Sequence, residues 1–349
     1  MMMDKQKRIF SGIRATGNLH LGNYMGAIKG MLEIQADPDY EMLFSVVDIH
    51  AMTTPYDKDS LAVKTRSVVL DYLASGLDPE QSTLIVQSKV IDLHAELMFY
   101  FSTVTTMARM QHLPTFKEKI RQHPDNVTMA LLNYPVLMAA DILIYHGSLV
   151  PVGIDQMPHI EVAREIARKM NAYYGTDFPQ PDRFATTGEY VPSLSGEGKM
   201  SKSVEGSFIN LTDSIDDIYS KLKRVPTDGG KGKIKTQKSK LKKDEISFMC
   251  DGNESHGVHS LYSFVGLFMG EEKQKEMVEQ YQSSGIRYGD LKKELADAIF
   301  AEIKPIQEKR SELEKDTAYV DRVIQQGAEK ARVIAGETVR DVKKKMGLM

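Results

Sequence analysis

The chain has 349 residues, 42% of them hydrophobic, with 45 lysines and arginines against 48 aspartates and glutamates and a formal net charge of −3. That length predicts two domains with an ordinary globular core, and the near-neutral charge excludes a globally basic nucleic-acid binder, confining any RNA-contacting surface to a local patch. The single cysteine, Cys250, rules out an internal disulfide and a cysteine-ligated zinc or iron–sulfur cluster within one chain.

In chain order, Met1 to Asp4 carry no apolar leader and run into a short strand over residues 8–11. A glycine-rich turn follows, opening a helix that should continue to about Gln35. The apolar run 42–47, ending at Asp48, reads as a buried parallel strand. Residues 60–75 read as an amphipathic helix closed by Gly76, 82–87 as a second buried strand, and a long helical stretch begins near Asp92. Its most apolar part, 131–145, contains Pro135 and Asp141 and is too short to span a bilayer. No membrane association is expected, and a soluble cytoplasmic protein is. Residues 149–152 form a short strand ending at Gly153. Alternation of strand and helix over the first two-thirds predicts a parallel sheet wrapped by helices. Its ligand crevice should lie at the C-terminal strand ends, where Gly12, Asp48 and Gly153 fall. From about Leu211 the pattern turns helical, over 214–224, 258–269, 271–281, 288–315 and 318–344. Residues 221–243 hold ten lysines and arginines and one acid, Asp228. Such a run is either a solvated loop or a set of phosphate contacts.

Three segments carry chemistry. The first is Ser11-Gly12-Ile13-Arg14-Ala15-Thr16-Gly17-Asn18-Leu19-His20-Leu21-Gly22-Asn23. Its glycines admit close backbone approach to a base or phosphate, and a helix N-terminus offers free N–H groups and a positive dipole end. The second, Lys199-Met200-Ser201-Lys202-Ser203, follows Gly196 and Gly198; two lysines on such a loop can close on a triphosphate. Together they point to an ATP site. The third is Tyr134-Pro135-Val136-Leu137-Met138-Ala139-Ala140-Asp141. Residues 134, 138 and 141 share a helix face, and a carboxylate on an otherwise apolar face needs a partner. One reading is a buried aspartate bonded to local backbone. The other is a pocket with an aromatic wall, a thioether floor and one acceptor, which suits the indole ring, a donor-only group.

The first two segments resemble the HIGH-like and KMSKS-like signatures of class I aminoacyl-tRNA synthetases, with Asn23 in the last position of the former. Tyr134 to Leu143, Thr115-Phe116-Lys117-Glu118-Lys119, the Val150 to His159 segment and Gly327-Ala328-Glu329-Lys330-Ala331 resemble bacterial tryptophanyl-tRNA synthetases over nearly the whole chain. The resemblance implies a Rossmann-like α/β catalytic domain, residues 1–210, with a helical connective insertion at about 90–147. It also implies a helical anticodon-binding domain, 211–325, and a C-terminal helix, 326–349, packing back. It implies a tryptophan–tRNA ligase: ATP activates L-tryptophan to the adenylate with release of pyrophosphate, and the 2′-OH of the tRNA(Trp) terminal ribose takes the acyl group. Because the substrate carboxylate is already a nucleophile, positioning and charge stabilisation replace general base catalysis.

Position by position, the resemblance assigns Asp141 to the indole N–H, Phe10, Met138, Ile142 and Val152 to the ring, and Tyr134, Gln156 and His50 to the ammonium and carboxylate. It assigns Gly22, Val191 and Met200 to adenine, His20 and Asn23 to the phosphates, and Gly153 and Asp155 to the ribose. Lys119, Lys199 and Lys202, with Ser201 in the same loop, should grip the triphosphate. Mg²⁺ should arrive with ATP rather than in a protein cage. A homodimer is expected, with surfaces near 61–74 and 93–110. The chain departs from the usual bacterial pattern at Arg14, in place of Gln and able to add a phosphate contact, and at Ala15, His20, Ile49 and Ile154. Residues 244–255 look like an insertion. A tyrosine-specific enzyme, which typically has Gln at the position of Met138, a paralogue with a regulatory RNA role, and a non-tRNA nucleotidyltransferase are the alternatives.

Overall fold

The computed structural model describes residues 6–184, 191–196, 198–200, 206–237, 245–250 and 253–349. It divides into two compact units. One comprises Met1–Gly17, Met31–Thr186 and Glu312–Met349, the other Asn18–Gly30 and Thr187–Ser311.

The first unit is built on five parallel strands: β1 (Lys7–Arg14), β2 (Tyr40–Val47), β3 (Ser82–Val86), β4 (Leu149–Val150) and β5 (Asp182–Arg183), in the order β3-β2-β1-β4-β5. The continuous apolar runs of β2 and β3 are those of strands covered on both faces, and Leu43, Phe44, Val46 and Ile85 are fully buried. The chain builds outward from β1 to β3, then returns to the other side of β1 with β4. That reversal places a crevice at the C-terminal ends of β1 and β4, the usual ligand position in such sheets.

Helices α1 (Lys58–Ala74), α2 (Ile91–Ser102), α3 (Pro114–Gln122), α4 (Met129–Leu143), α5 (Met157–Tyr174) and α6 (Thr317–Lys345) belong to this unit. Local signals fix several ends. Asp57 accepts from the Asp59 amide at the start of α1, Thr128 from Leu131 at α4, and Asp316 from Tyr319 at α6. Pro114 opens α3, where its missing N–H costs nothing, and Gly175 closes α5 in the left-handed conformation at φ 68°. The long stretch expected from Asp92 is thus several helices rather than one. Buried side chains of α2, α4, α5 and α6, with Phe10, Leu43 and Ile85 of the sheet, form one core.

In the second unit the turn after β1 departs from expectation. A continuous helix was expected to about Gln35; the chain instead forms a single turn, Leu21–Asn23, a π-helical turn, Tyr24–Ile28, and a last turn, Lys29–Leu32. Gly22, Gly26 and Gly30 weaken helical propensity through this stretch, and π turns concentrate at functional sites. The helices Ile215–Lys223, His256–Gln282 and Tyr288–Lys315 match the periodic segments, and Gly270, at φ 89°, marks the break expected near residue 270. An antiparallel sheet of Lys233–Gln237, Glu245–Cys250 and Asn253–Glu254 was not expected there. Its signal was the pair of apolar residues Ile246 and Phe248 about Ser247, obscured by the lysines around it. Phe248 is fully buried, its ring 5.0 Å from Tyr281.

Helix α6 lies against the edge strand β3. Arg332 donates to both carboxylate oxygens of Asp92 at 2.9 and 2.8 Å and to the Lys89 carbonyl at 2.7 Å, and the Thr338 hydroxyl donates to the Ile144 carbonyl at 2.7 Å. Contact is closest at Gly327, where a Cβ would meet the Leu84 carbonyl oxygen at 1.7 Å. Gly327→Ala should therefore lower unfolding free energy by about 1–3 kcal/mol in a denaturant titration. Gly336→Ala, on the same helix with nothing within 4 Å of its Cβ, should be neutral or stabilise by up to about 1 kcal/mol.

Candidate active site

A cavity of about 680 Å³ opens at the C-terminal ends of β1 and β4 in the first unit. All eight residues assigned to tryptophan on the sequence line it: Phe10, His50, Tyr134, Met138, Asp141, Ile142, Val152 and Gln156. Arg14, Lys119 and Asp155, expected near ATP, line it too. Residues 134, 138 and 141 present one face of α4 to it, as their spacing requires. Gly153 stands just before the tight helical turn Ile154–Gln156 that carries Asp155 and Gln156.

Asp141 ends the apolar part of the cavity, 1% exposed. Its Oδ1 accepts from Gln87 Nε2 at 2.8 Å and from His94 Nδ1 at 2.6 Å, and its Oδ2 from His50 Nε2 at 2.8 Å. His94 Nε2 meets the Tyr145 hydroxyl at 2.7 Å. Burial alone would push the Asp141 carboxyl up. The hydrogen bonds and positive potential of His50 and His94 outweigh it and hold the group well below the usual carboxylate range. Asp141 is thus an acceptor-only anion at neutral pH. Phe10 stacks on Tyr145 with ring centroids 5.9 Å apart, which fixes the wall beside it.

The opposite part of the cavity is polar. The Tyr134 hydroxyl lies 2.7 Å from His159 Nε2 and donates to Thr115 Oγ1 at 3.0 Å. His159 is buried; desolvation, helped by His50 and opposed by Asp155, pushes its imidazole down to about 4, so the ring is neutral. Burial raises the Tyr134 phenol. Arg14 donates to Thr54 Oγ1 at 3.1 Å and Lys119 to Gln122 Oε1 at 2.9 Å. Burial, and for Lys119 the nearby guanidinium as well, lowers both from their ordinary values. Two cations sharing one partly dry wall favour an anion against it. Gln87 and His94, the carboxylate's other partners, were not assigned from the sequence. Gln87 ends an apolar strand and His94 sits among apolar helix neighbours, and neither position signals which side chain it will meet.

The remaining assigned residues lie in the second unit. The His20 amide donates to Asn23 Oδ1 at 3.3 Å, closing the turn, and the Leu21 amide donates to Ile209 at 2.8 Å. Lys199 forms a bridge with Pro192, and the Met200 amide donates to Val191 at 2.9 Å. A Cβ on Gly22 would stand 3.0 Å from the His20 ring and 3.2 Å from Met200 Cβ. The two signature segments, about 180 residues apart in the chain, therefore meet at Gly22 and Met200. Ser201 and Lys202 lie outside the described residues. Among the described residues, no group of three or more His, Cys, Asp or Glu is arranged to hold a metal ion, and no helix is long and apolar enough to cross a membrane.

The neutral His159 makes stability depend on pH. Between its folded value of about 4 and the ordinary 6.5, the unfolded chain binds the extra proton. The His159 contribution to stability is therefore constant above pH 6.5, falls as pH drops towards 4, and levels off below. The loss should reach about 3 kcal/mol at most. His159→Gln should flatten that part of a stability-against-pH curve measured by chemical denaturation.

The profile of the tRNA synthetases class I (W and Y) matches residues 2–304. The tryptophan–tRNA ligase of Porphyromonas gingivalis is 40% identical over 342 residues, covering 97% of this chain and 98% of that protein. The ligase of the same name from Helicobacter pylori (strain ATCC 700392 / 26695) is 38% identical over 348 residues, covering 99% of each. Among solved structures, the tryptophanyl-tRNA synthetase of Campylobacter jejuni complexed with ADP and tryptophan superposes with a TM-score of 0.80 at 31% identity, over 97% of this chain and 99% of that one. The enzyme of Mycoplasma pneumoniae gives 0.81 at 26% identity, over 99% of both. With its parallel sheet, its paired signature segments and these full-length relatives, the chain belongs to the class I tRNA synthetases of the tryptophan and tyrosine group.

Proposed function

We propose that this chain is a tryptophan–tRNA ligase, which activates L-tryptophan with ATP and transfers it to the terminal ribose of tRNA(Trp). The observation that carries the reading is the cavity: an apolar slot of Phe10, Met138, Ile142 and Val152 ending at the buried anionic Asp141. An anion of that kind accepts and cannot donate, and the indole N–H donates and cannot accept. A phenol would leave its own acceptor unmatched there, and Met138 offers it no hydrogen bond. Buried unmatched polar groups are what a specific site uses to reject a competitor. The full-length relatives named tryptophan–tRNA ligase support the same choice.

The roles follow the chemistry. The indole N–H donates to Asp141, and Tyr134, Gln156 and His50 hold the amino-acid end. Arg14 and Lys119 face the carboxylate and phosphates. His20, Asn23, Lys199, Ser201 and Lys202 are assigned to the phosphates, Gly22, Val191 and Met200 to adenine, and Gly153 and Asp155 to the ribose. The tryptophan carboxylate attacks the α-phosphorus in line and pyrophosphate leaves. Negative charge spread over the phosphoryl oxygens is met by cations and N–H groups. Transfer then moves the acyl group from the adenylate to the ribose hydroxyl, releasing AMP. Mg²⁺ enters with ATP.

The division of labour expected from the sequence is part of the same proposal: a catalytic 1–210, anticodon-reading helices within 211–325, and a returning tail, 326–349. Lysines of the 221–243 segment are placed on tRNA phosphates. A homodimer using 61–74 and 93–110 is supported by Val63, Phe99 and Met107, which are 70%, 68% and 64% exposed. A cytoplasmic location fits a reaction that draws on ATP and tRNA.

Purified protein should catalyse ATP–pyrophosphate exchange with tryptophan and not with tyrosine; tyrosine-dependent exchange would overturn the substrate assignment. Asp141→Ala should lower kcat/KM for tryptophan in that assay by roughly 100-fold or more. It should also narrow the margin between tryptophan and tyrosine, and an unchanged margin would remove Asp141 from substrate recognition.

A further inference from the structure

We infer that His94, held by Tyr145 behind the cavity wall, is a positioning residue that gives the site its selectivity for an N–H-bearing ring. The inference rests on the tryptophan reading above and names a residue that reading does not use.

The geometry is a relay of three side chains. His94 is fully buried on α2, with Nδ1 2.6 Å from Asp141 Oδ1 and Nε2 2.7 Å from the Tyr145 hydroxyl. An anionic carboxylate accepts only, so Nδ1 carries the proton and donates to it. The ring's other nitrogen, Nε2, is hydrogen-bonded to the Tyr145 hydroxyl. Tyr145 thereby fixes which nitrogen faces Asp141, as an outer partner fixes a metal-bound or catalytic imidazole. Tyr145 is itself immobilised, fully buried, with Phe10 stacked at 5.9 Å and the His94 ring edge-on at 5.4 Å.

The two carboxylate oxygens are loaded differently. Among the described residues, Oδ1 accepts from both Gln87 and His94, whereas Oδ2 accepts from His50 alone. A carboxylate oxygen accepts two hydrogen bonds readily. Oδ2 therefore keeps a free acceptor position, and its one partner, His50, lines the cavity. His94 pins Oδ1 away from substrate, which sets the plane of the carboxylate and leaves Oδ2 as the atom that reads the ring. Gln87 supplies a second bond to Oδ1, its own Oε1 accepting from the Ile49 amide at 3.2 Å. His94 and Tyr145 thus control how sharply the site distinguishes a ring with an N–H from one of the same shape without it.

The test compares tryptophan with the analogue that has sulfur in place of the indole N–H, 3-(benzothiophen-3-yl)alanine, in pyrophosphate exchange. His94→Leu should reduce the preference for tryptophan over the analogue, in kcat/KM, by about 10- to 100-fold. The tryptophan KM should rise, with kcat less affected and the ATP KM unchanged. His94→Asn, whose amide nitrogen stands close to the place of Nδ1, should recover most of the preference. Tyr145→Phe, which removes one hydroxyl and keeps the stacked ring, should reduce it in the same direction by a smaller factor. The inference is overturned if His94→Leu slows both substrates in equal proportion, or if Asn fails as Leu does. Should His94→Leu not fold, an unchanged preference in Tyr145→Phe overturns it instead. Wild-type protein that does not use tryptophan would sink the parent reading, a different result from equal losses in the variants.

Discussion

One buried negative charge organises the centre of the first unit. Asp141 is almost completely removed from water, and an isolated carboxylate in that position would neutralise itself or unfold its surroundings. It stays ionised because three donors converge on it from three separate parts of the chain. His50 follows β2, Gln87 follows β3, and His94 sits on α2. The parallel register aligns Val46 with Val86, so the segments after β2 and β3 emerge level with one another at the end of the sheet where α4 presents Asp141. The sheet thus serves as the frame that brings donors and acceptor to one point, and the core packed on α2 and α4 holds them there.

The same cavity changes character along its length. Aromatic and aliphatic groups surround the carboxylate end, while Tyr134, Thr115 and His159 form a neutral hydrogen-bonded cluster further along, and Arg14 and Lys119 bring positive charge to the wall. A ligand with a flat apolar ring at one end and anionic groups at the other is complementary to that gradient. Arg14 brings a permanent positive charge to that wall. Arginine cannot be neutralised by deprotonation under ordinary conditions, and its planar fork suits carboxylate or phosphate oxygens.

In the second unit the two signature segments come together at Gly22 and Met200. Leu21 bonds to Ile209 and Met200 to Val191, each to a neighbouring stretch, and Gly22 allows the His20 turn to approach Met200 because it has no Cβ to interpose. In the first unit Gly327 seats α6 against the Leu84 carbonyl of β3, an approach that a larger side chain would prevent, while Arg332 and Thr338 bond the Lys89 and Ile144 carbonyls.

Much of this was legible in the chain itself. Apolar runs without alternation predicted buried parallel strands, and the i, i+4, i+7 spacing of Tyr134, Met138 and Asp141 placed them on one helix face, because helix and strand periods are set by backbone geometry alone. The helix boundaries near 215–223, 288–315 and 317–345 followed from caps and periodicity for the same reason. The broken turn at 21–32 and the antiparallel strands of 233–237, 245–250 and 253–254 were not read: the helix-weakening glycines of the turn were overlooked, and the lysine-rich composition around the strands masked their apolar positions. The resemblance to known synthetases supplied the residue list, but which atoms meet was decided only in three dimensions. His94 and Gln87 carry no mark in the sequence of being Asp141's partners; they lie 47 and 54 residues from it. Local backbone preferences determine elements. A buried charge is satisfied only by groups that the assembled sheet and helices bring within hydrogen-bond reach, and that is a property of the fold.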